Sequence, residues 1–205
     1  MRKAAYRAAV ALGVDRLLRW RRDGGVVLCY HGFIAAGDVA PGDGALHLPL
    51  PDFERQLDFL ASHFAVIPLE EVERRLRAGR SLRGTAAITF DDGYRGVLQH
   101  ALPALRARAL PAAMFVTSVG AGSGRTYWWD WPTPGAEAGA PSLRRLLLEE
   151  CRGDAAQIAA ALEVEAVEAE LRFRPADWAE LRAASGPDLT FGVHSASHRN
   201  LAVLD

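Results

Sequence analysis

Two short segments of this 205-residue chain carry side chains that could bind a metal ion and hydrolyse a bond. His194 and His198 stand four residues apart, and Asp91 and Asp92 are adjacent. On one helical turn, a spacing of four points both imidazoles the same way, as a pair of metal ligands requires. Two histidines and one carboxylate would leave coordination positions open for water and substrate, which is typical of a catalytic metal site.

Each pair also has a plainer explanation. Histidines four residues apart occur by chance, and Asp-Asp-Gly is a common turn sequence in which carboxylates accept bonds from nearby backbone N–H groups. However, two adjacent carboxylates at a strand end repel each other unless a cation lies between them. With a dication present, one carboxylate could bind the metal and the other could take a proton from the attacking water.

Two further groups of residues could contribute to such a site. His31 directly follows an apolar run, but a single histidine is more often structural than catalytic, so both roles stay open. An aromatic cluster could stack on sugar faces or simply fix a loop to the rest of the domain. Its members are Tyr127, Trp128, Trp129 and Trp131.

The elements that would position these residues are short apolar strands. Apolar runs at 26–30, 86–90, 112–117 and 189–193 predict buried strands, and helical patterns separate them. This alternation predicts parallel pairing and an α/β fold. Three of the runs end at His31, at Asp91-Asp92 and at His194. Because chemistry in α/β folds gathers at the carboxyl ends of strands, we expect these residues to share one site.

Composition excludes some classes of protein. The 24 basic and 25 acidic residues give a net charge of −1, which provides no basis for nucleic acid as a partner. The two cysteines, Cys29 and Cys151, do not form a disulfide framework, so a reducing compartment is expected. Because Cys29 lies in an apolar run, we predict that it is a small buried hydrophobe rather than a nucleophile.

Residues 1–23 form a basic segment of their own, with apolar side chains at helical spacing. The pattern predicts an amphipathic helix, packed on the catalytic domain at 24–205 or resting as a peripheral contact on an anionic membrane. The apolar stretch is too short for a secretory signal, and no run approaches the ~20 residues of a membrane span. The sequence therefore predicts a location in the cytoplasm or at the periphery of the cell envelope.

The two metal-binding segments also resemble a known family. Thr-Phe-Asp-Asp-Gly-Tyr at 89–94 and His-Ser-Ala-Ser-His at 194–198 are similar to the two signatures of the polysaccharide deacetylase family (carbohydrate esterase family 4, the NodB homology domain). Tyr30-His31 resembles an early motif of a circularly permuted branch of that family. The resemblance implies a distorted (β/α)7 barrel with one divalent metal ion, usually zinc. It also implies site roles: metal ligands Asp92, His194 and His198, general base Asp91, and general acid His31.

The function that the resemblance implies is removal of N-acetyl groups from an amino-sugar polysaccharide or glycan. Two alternatives stay open: a catalytically impaired carbohydrate-binding homologue, and an amidohydrolase of the same fold that acts on a small non-sugar amide. The sequence ends at Asp205, seven residues after His198, whereas the family pattern continues with at least two more strands. We therefore expect a barrel truncated after its fifth strand and poor activity of this chain alone.

Overall fold

The structure is a computed structural model that describes residues 24–35, 37–42, 44–131, 143, 145–165 and 168–204. The basic helix predicted at 1–23 lies outside these residues. Within the described part of the chain, no helix is both long enough and apolar enough to cross a membrane.

The described residues form seven strands and six α-helices. The strands β1 to β7 are Val26–Tyr30, Gly32–Ile34, His47–Pro49, Ala65–Val66, Thr85–Phe90, Ala112–Val116 and Leu189–Val193. The helices α1 to α6 are Leu50–His63, Leu69–Arg77, Leu102–Arg106, Ser118–Ser123, Ala155–Leu162 and Trp178–Ala184. A π-helical turn over Val97–Ala101 leads into α3, where Pro103, which has no N–H to donate, lies in the first turn.

The main sheet has five strands, all parallel, in the order β1-β5-β6-β7, with β4 paired to β5. This confirms the predicted α/β fold with a parallel sheet. Strands β2 and β3 form a separate parallel pair. Among the described residues, β1 and β7 are the two ends of the strand path, and closure into a barrel is not seen.

The core lies between this sheet and the helices that pack on it, which include α1, α3 and α6. All six residues of β5 are buried, and Phe53, Leu57 and Leu60 form the buried face of α1. The prediction that the first strand is buried on both faces was wrong. Strand β1 lies at an edge of the sheet, and Val26 and Val27 keep 44% and 52% of their surface exposed.

Helix α6 precedes β7 in the chain and contacts the loop that follows β5. The side chains of Asp177 and Glu180 form a capping box at its first turn, and Glu180 also accepts a bond from Arg95 at 2.7 Å. The sequence also has a helical pattern at about 165–172, which predicts another helix, but the residues described there form only a 3₁₀ turn at Leu171–Phe173. Capping therefore fixes α6, whereas 165–172 had helical spacing without a cap.

Candidate metal centre and active site

The two carboxylates follow β5 but leave it in different directions. The backbone N–H of Asp91 donates to the carbonyl of Tyr30 at 2.8 Å, which continues the pairing of β5 with β1. Asp92 then takes a left-handed backbone with φ of 69°. Asp92 is 1% exposed, whereas Asp91 is half-buried. The change in backbone direction therefore separates two adjacent acids into two different environments.

The two histidines follow β7 in a loop, not in the helical turn that the spacing suggested. The N–H of His194 donates to the carbonyl of Val116 at 2.9 Å, as the last bond between β7 and β6. Ser195 and His198 have left-handed backbones with φ of 62° and 56°. The N–H of His198 donates to Ser195 Oγ at 3.0 Å, so the serine hydroxyl closes the loop.

The loop brings both imidazoles to Asp92. His194 Nε2 lies 3.5 Å and His198 Nε2 lies 3.4 Å from Asp92 Oδ1. One ligand atom from each of the three residues lies within 4.8 Å of the other two. Ligands of a tetrahedral zinc ion, with bonds of about 2.0–2.2 Å, lie about 3.3–3.6 Å apart, so the two measured distances fit such an ion.

The charge balance of this trio also fits a cation. Asp92 Oδ1 is buried and has no hydrogen-bond partner among the described residues. Burial, followed by the negative charges of Asp91 and Asp130, raises the pKa of Asp92 to about 7. Burial, followed by the neighbouring His194, lowers the pKa of His198, which favours the neutral imidazole that a metal requires. A divalent ion would satisfy the orphaned oxygen and favour the ionised carboxylate.

The Tyr127 side chain supports the backbone of Asp92. The Tyr127 hydroxyl donates to the Asp92 carbonyl at 2.5 Å and accepts from the Thr117 hydroxyl at 2.7 Å. The indole of Trp129 stacks on the Tyr127 ring, with centroids 4.5 Å apart, and it also lies 4.6 Å from the His198 ring. These rings therefore fix the local structure around two of the three candidate ligands.

A buried polar network lies behind these rings. Asp130 is 2% exposed and accepts from His47 Nε2 at 2.7 Å and from the Tyr94 hydroxyl at 2.6 Å. Trp129 Nε1 donates to the same Tyr94 hydroxyl at 2.7 Å. Sequence reasoning missed this network and gave His47 no role. An acid between two tryptophans, at position 130, was the available signal, because a buried carboxylate needs donors.

His31, Asp91 and Cys29 form a second group beside the trio. One ligand atom from each lies within 4.8 Å of the others, and burial lowers the pKa of His31. The prediction of a buried Cys29 was wrong: the residue is exposed, and its thiol donates to Asp91 Oδ2 at 3.1 Å. Edge strand β1 leaves this position open, which an apolar run alone does not reveal.

A cavity of about 520 Å³ opens next to the histidine loop. Trp128 and Trp129 line it on one side, and Ser197 and Arg199 line it on the side of the loop. Trp131 is 5% exposed and packs with Ile158 in a small core of its own. All four aromatic residues of the cluster therefore line the cavity, and Tyr127, Trp129 and Trp131 also make packing contacts.

Comparisons with known proteins identify the family and support the fold. The profile of the family described as polysaccharide deacetylase matches residues 78–205. A structure of the Streptococcus pyogenes deacetylase PplD in complex with acetate is similar with a TM-score of 0.55 and 16% identity, covering 87% of this chain and 59% of that one. The polysaccharide deacetylase BC0361 from Bacillus cereus gives 0.50 and 13%, covering 88% and 42%.

A third solved structure, a de-N-acetylase from Aggregatibacter actinomycetemcomitans, has a TM-score of 0.51 and 14% identity, covering 83% of this chain and 54% of that one. At such identities these structures show the fold. The chain spans less than two thirds of the length of each of the three. No curated protein sequence matches it. The family profile covers more than half of the chain and includes all of Asp91, Asp92, His194 and His198, so the chain belongs to the polysaccharide deacetylase family.

Proposed function

We propose that this protein is a metal-dependent hydrolase that removes N-acetyl groups from an amino-sugar polysaccharide or glycan. The observation that carries the proposal is the convergence of Asp92, His194 and His198 on one point, with Asp91 beside them. Metal-assisted hydrolysis of an amide needs three such ligands and, next to them, a carboxylate that does not bind the metal.

In this proposal Asp92, His194 and His198 hold one divalent ion, which we expect to be zinc. When bound, the ion polarises the acetyl carbonyl and lowers the pKa of a water molecule. The protein's part is to keep the three ligands in place before the ion arrives. Ser195 does so by bonding the His198 N–H, and Tyr127 does so by bonding the Asp92 carbonyl.

Asp91 is the proposed general base. Its carboxylate is half-buried, lies just beyond the end of β5 and is not one of the three proposed ligands. It accepts a proton from the water whose oxygen attacks the acetyl carbon. His31 is the proposed general acid, since its ring lies beside Asp91 and can donate a proton to the departing nitrogen. The C–N bond breaks, and the products are acetate and a free amine.

Open space next to the site supports a carbohydrate substrate. Trp128 and Trp129 line the cavity of about 520 Å³, and Trp129 joins it to the ligand trio because its ring lies 4.6 Å from the His198 ring. The C–H faces of sugar rings are apolar and stack on such surfaces. We propose that sugar units flanking the acetylated one lie along these rings.

The proposed fold around the site is an arc of a distorted (β/α)7 barrel. Both end strands of the sheet support this, since each carries exposed apolar side chains. Val27 of β1 is 52% exposed and Val193 of β7 is 81% exposed. Such edges are suited to pairing or packing with further structure.

The test is a matched pair of variants, Asp91→Asn and Asp92→Asn, compared with the zinc-loaded protein. We expect the protein to release acetate and free amine slowly from an acetylated chitooligosaccharide. Asp91→Asn should bind one zinc ion but lose at least 100-fold in turnover, because it lacks the base. Asp92→Asn should lose zinc.

Two outcomes would contradict the proposal. One is tight zinc binding that survives Asp92→Asn, since that carboxylate is the centre of the trio. The other is hydrolysis of a small non-sugar amide together with failure on every acetylated oligosaccharide tried, which would point to the alternative amidohydrolase.

A further inference from the structure

Strand geometry brings a thiol to the proposed base and acid. Residues two apart on a strand face the same side, so Cys29, the fourth residue of β1, shares a face with His31 just beyond the strand's end. Strand β1 pairs in parallel register with β5, with Tyr30 opposite Phe90. Asp91, the residue after Phe90, is therefore the neighbour of both Cys29 and His31.

The three side chains offer sulfur, nitrogen and oxygen at short range. Cys29 Sγ lies 3.1 Å from Asp91 Oδ2, and one donor atom of each residue falls within 4.8 Å of the others. Cys29 is exposed, so a hydrated ion can reach the thiol from solvent. These are the ligand types that zinc and cadmium prefer, and a thiolate discriminates against magnesium and calcium.

This second trio shares no side chain with the first. Asp91 belongs to one trio and Asp92 to the other, and the left-handed backbone at Asp92, with φ of 69°, is what divides them. The second trio therefore offers donor atoms that the first does not use.

We propose that Cys29, His31 and Asp91 form a second, inhibitory binding site for a thiophilic divalent cation such as zinc in excess or cadmium. The inhibitory effect rests on the function proposed above, because the ion would occupy the general base and the general acid together. Binding replaces the thiol proton, which leaves to solvent, with a sulfur–metal bond. The Asp91 oxygen that now accepts from the thiol becomes free to ligate.

The direct test is a titration of the full chain with cadmium. Binding is measured by the ultraviolet charge-transfer absorption of a cadmium–thiolate bond. The control is Cys151→Ala, which removes the other cysteine, a buried one. We expect two equivalents of cadmium and a saturating thiolate signal in the wild type and in Cys151→Ala. Cys29→Ser, which keeps a donor for Asp91, should bind one equivalent and give no signal. A signal that persists in Cys29→Ser, or is absent from the wild type, would overturn the proposal.

A second measurement needs no variant. Cadmium should slow alkylation of Cys29 by a maleimide at least tenfold, as read by peptide mass spectrometry. Magnesium at the same concentration should not. Equal alkylation rates with and without cadmium would also refute the site, whether or not Cys29→Ser folds.

The inhibitory role is tested by measuring hydrolysis of the acetylated substrate at rising zinc concentration. The activity of each protein is expressed as a fraction of its own maximum. Cys29→Ser should need at least tenfold more excess zinc for half-inhibition than the wild type. If cadmium binds through Cys29 but no acetylated sugar is hydrolysed, the proposed function fails and the second site stands. If hydrolysis occurs and zinc inhibits both proteins equally, the inhibitory role fails and the proposed function stands.

Discussion

Replacing Tyr127 with phenylalanine tests whether the backbone of Asp92 determines metal affinity. The variant loses one oxygen atom and keeps the ring that stacks on Trp129. What disappears is the 2.5 Å bond to the Asp92 carbonyl and the 2.7 Å bond from Thr117. No candidate ligand is changed, so any effect on metal binding must pass through the position of the Asp92 backbone.

The expected magnitudes follow from the buried carbonyl and the backbone strain. A buried acceptor left without a donor costs about 1–3 kcal/mol of stability. For a protein of this size, that corresponds to a melting temperature lower by roughly 2–12 °C. The bond also holds Asp92 at φ of 69°, a conformation that costs an L-residue about 1–3 kcal/mol. Loss of a partner that orients a ligand typically weakens metal binding about 10–100-fold.

The assay is competition for zinc against a chromophoric chelator, with thermal unfolding of the metal-free protein measured alongside. Tyr30→Phe is a matched control, since its hydroxyl bonds Gln56 at 2.7 Å and does not touch Asp92. We expect the control to keep wild-type zinc affinity. Zinc affinity of Tyr127→Phe within twofold of the wild type would show that Asp92 needs no backbone support and would refute the reasoning.

Three other predictions concern stability. Zinc at 100 times its dissociation constant should stabilise the protein by about 2.7 kcal/mol. A chelator should therefore lower the melting temperature of the zinc-loaded protein by roughly 5–11 °C. Asp92→Asn should abolish that shift. Gly32→Ala should cost about 1–3 kcal/mol in chemical denaturation, because its Cβ would lie 2.0 Å from the buried His47 Nδ1; wild-type stability would contradict this. The hydrogen bond from Arg95 lowers the pKa of Glu180, so this group stabilises the fold above its unfolded pKa of about 4.3, and that contribution is lost as pH falls through the folded pKa. Glu180→Gln should therefore be destabilised by about 1 kcal/mol or less at pH 7 and progressively less in acid, and a difference independent of pH would contradict the assignment.

The strands and the main site residues could be predicted because local pattern is enough to specify them. The apolar runs at 86–90 and 189–193 became β5 and β7 within one residue at each end. Parallel strands put their carboxyl ends on one edge of a sheet. Convergence of Asp92 with His194 and His198 therefore needed only the strand ends and the α/β alternation.

The supporting contacts could not be predicted, because they join residues that are distant in sequence. Tyr127 reaches Asp92 across 35 positions, and Asp130 reaches His47 across 83. No periodicity encodes such pairs. The exposure of Cys29 was missed for a related reason: an apolar run predicts a strand but not whether the strand lies at the centre or the edge of the sheet.

Backbone strain is concentrated at and beside the candidate metal ligands. In the described part of the chain, six non-glycine residues have positive φ, and three of them are Asp92, Ser195 and His198. Strain of about 1–3 kcal/mol per residue persists only where surrounding contacts impose it. Here the contacts are identifiable: the Tyr127 hydroxyl holds Asp92, and the Ser195 hydroxyl holds the His198 N–H. Because both bonds join groups of the protein and involve no ligand atom, they offset the cost of bending the chain during folding. The ion then meets ligands already in place, and this is why hydroxyls that touch no metal should control how tightly it binds.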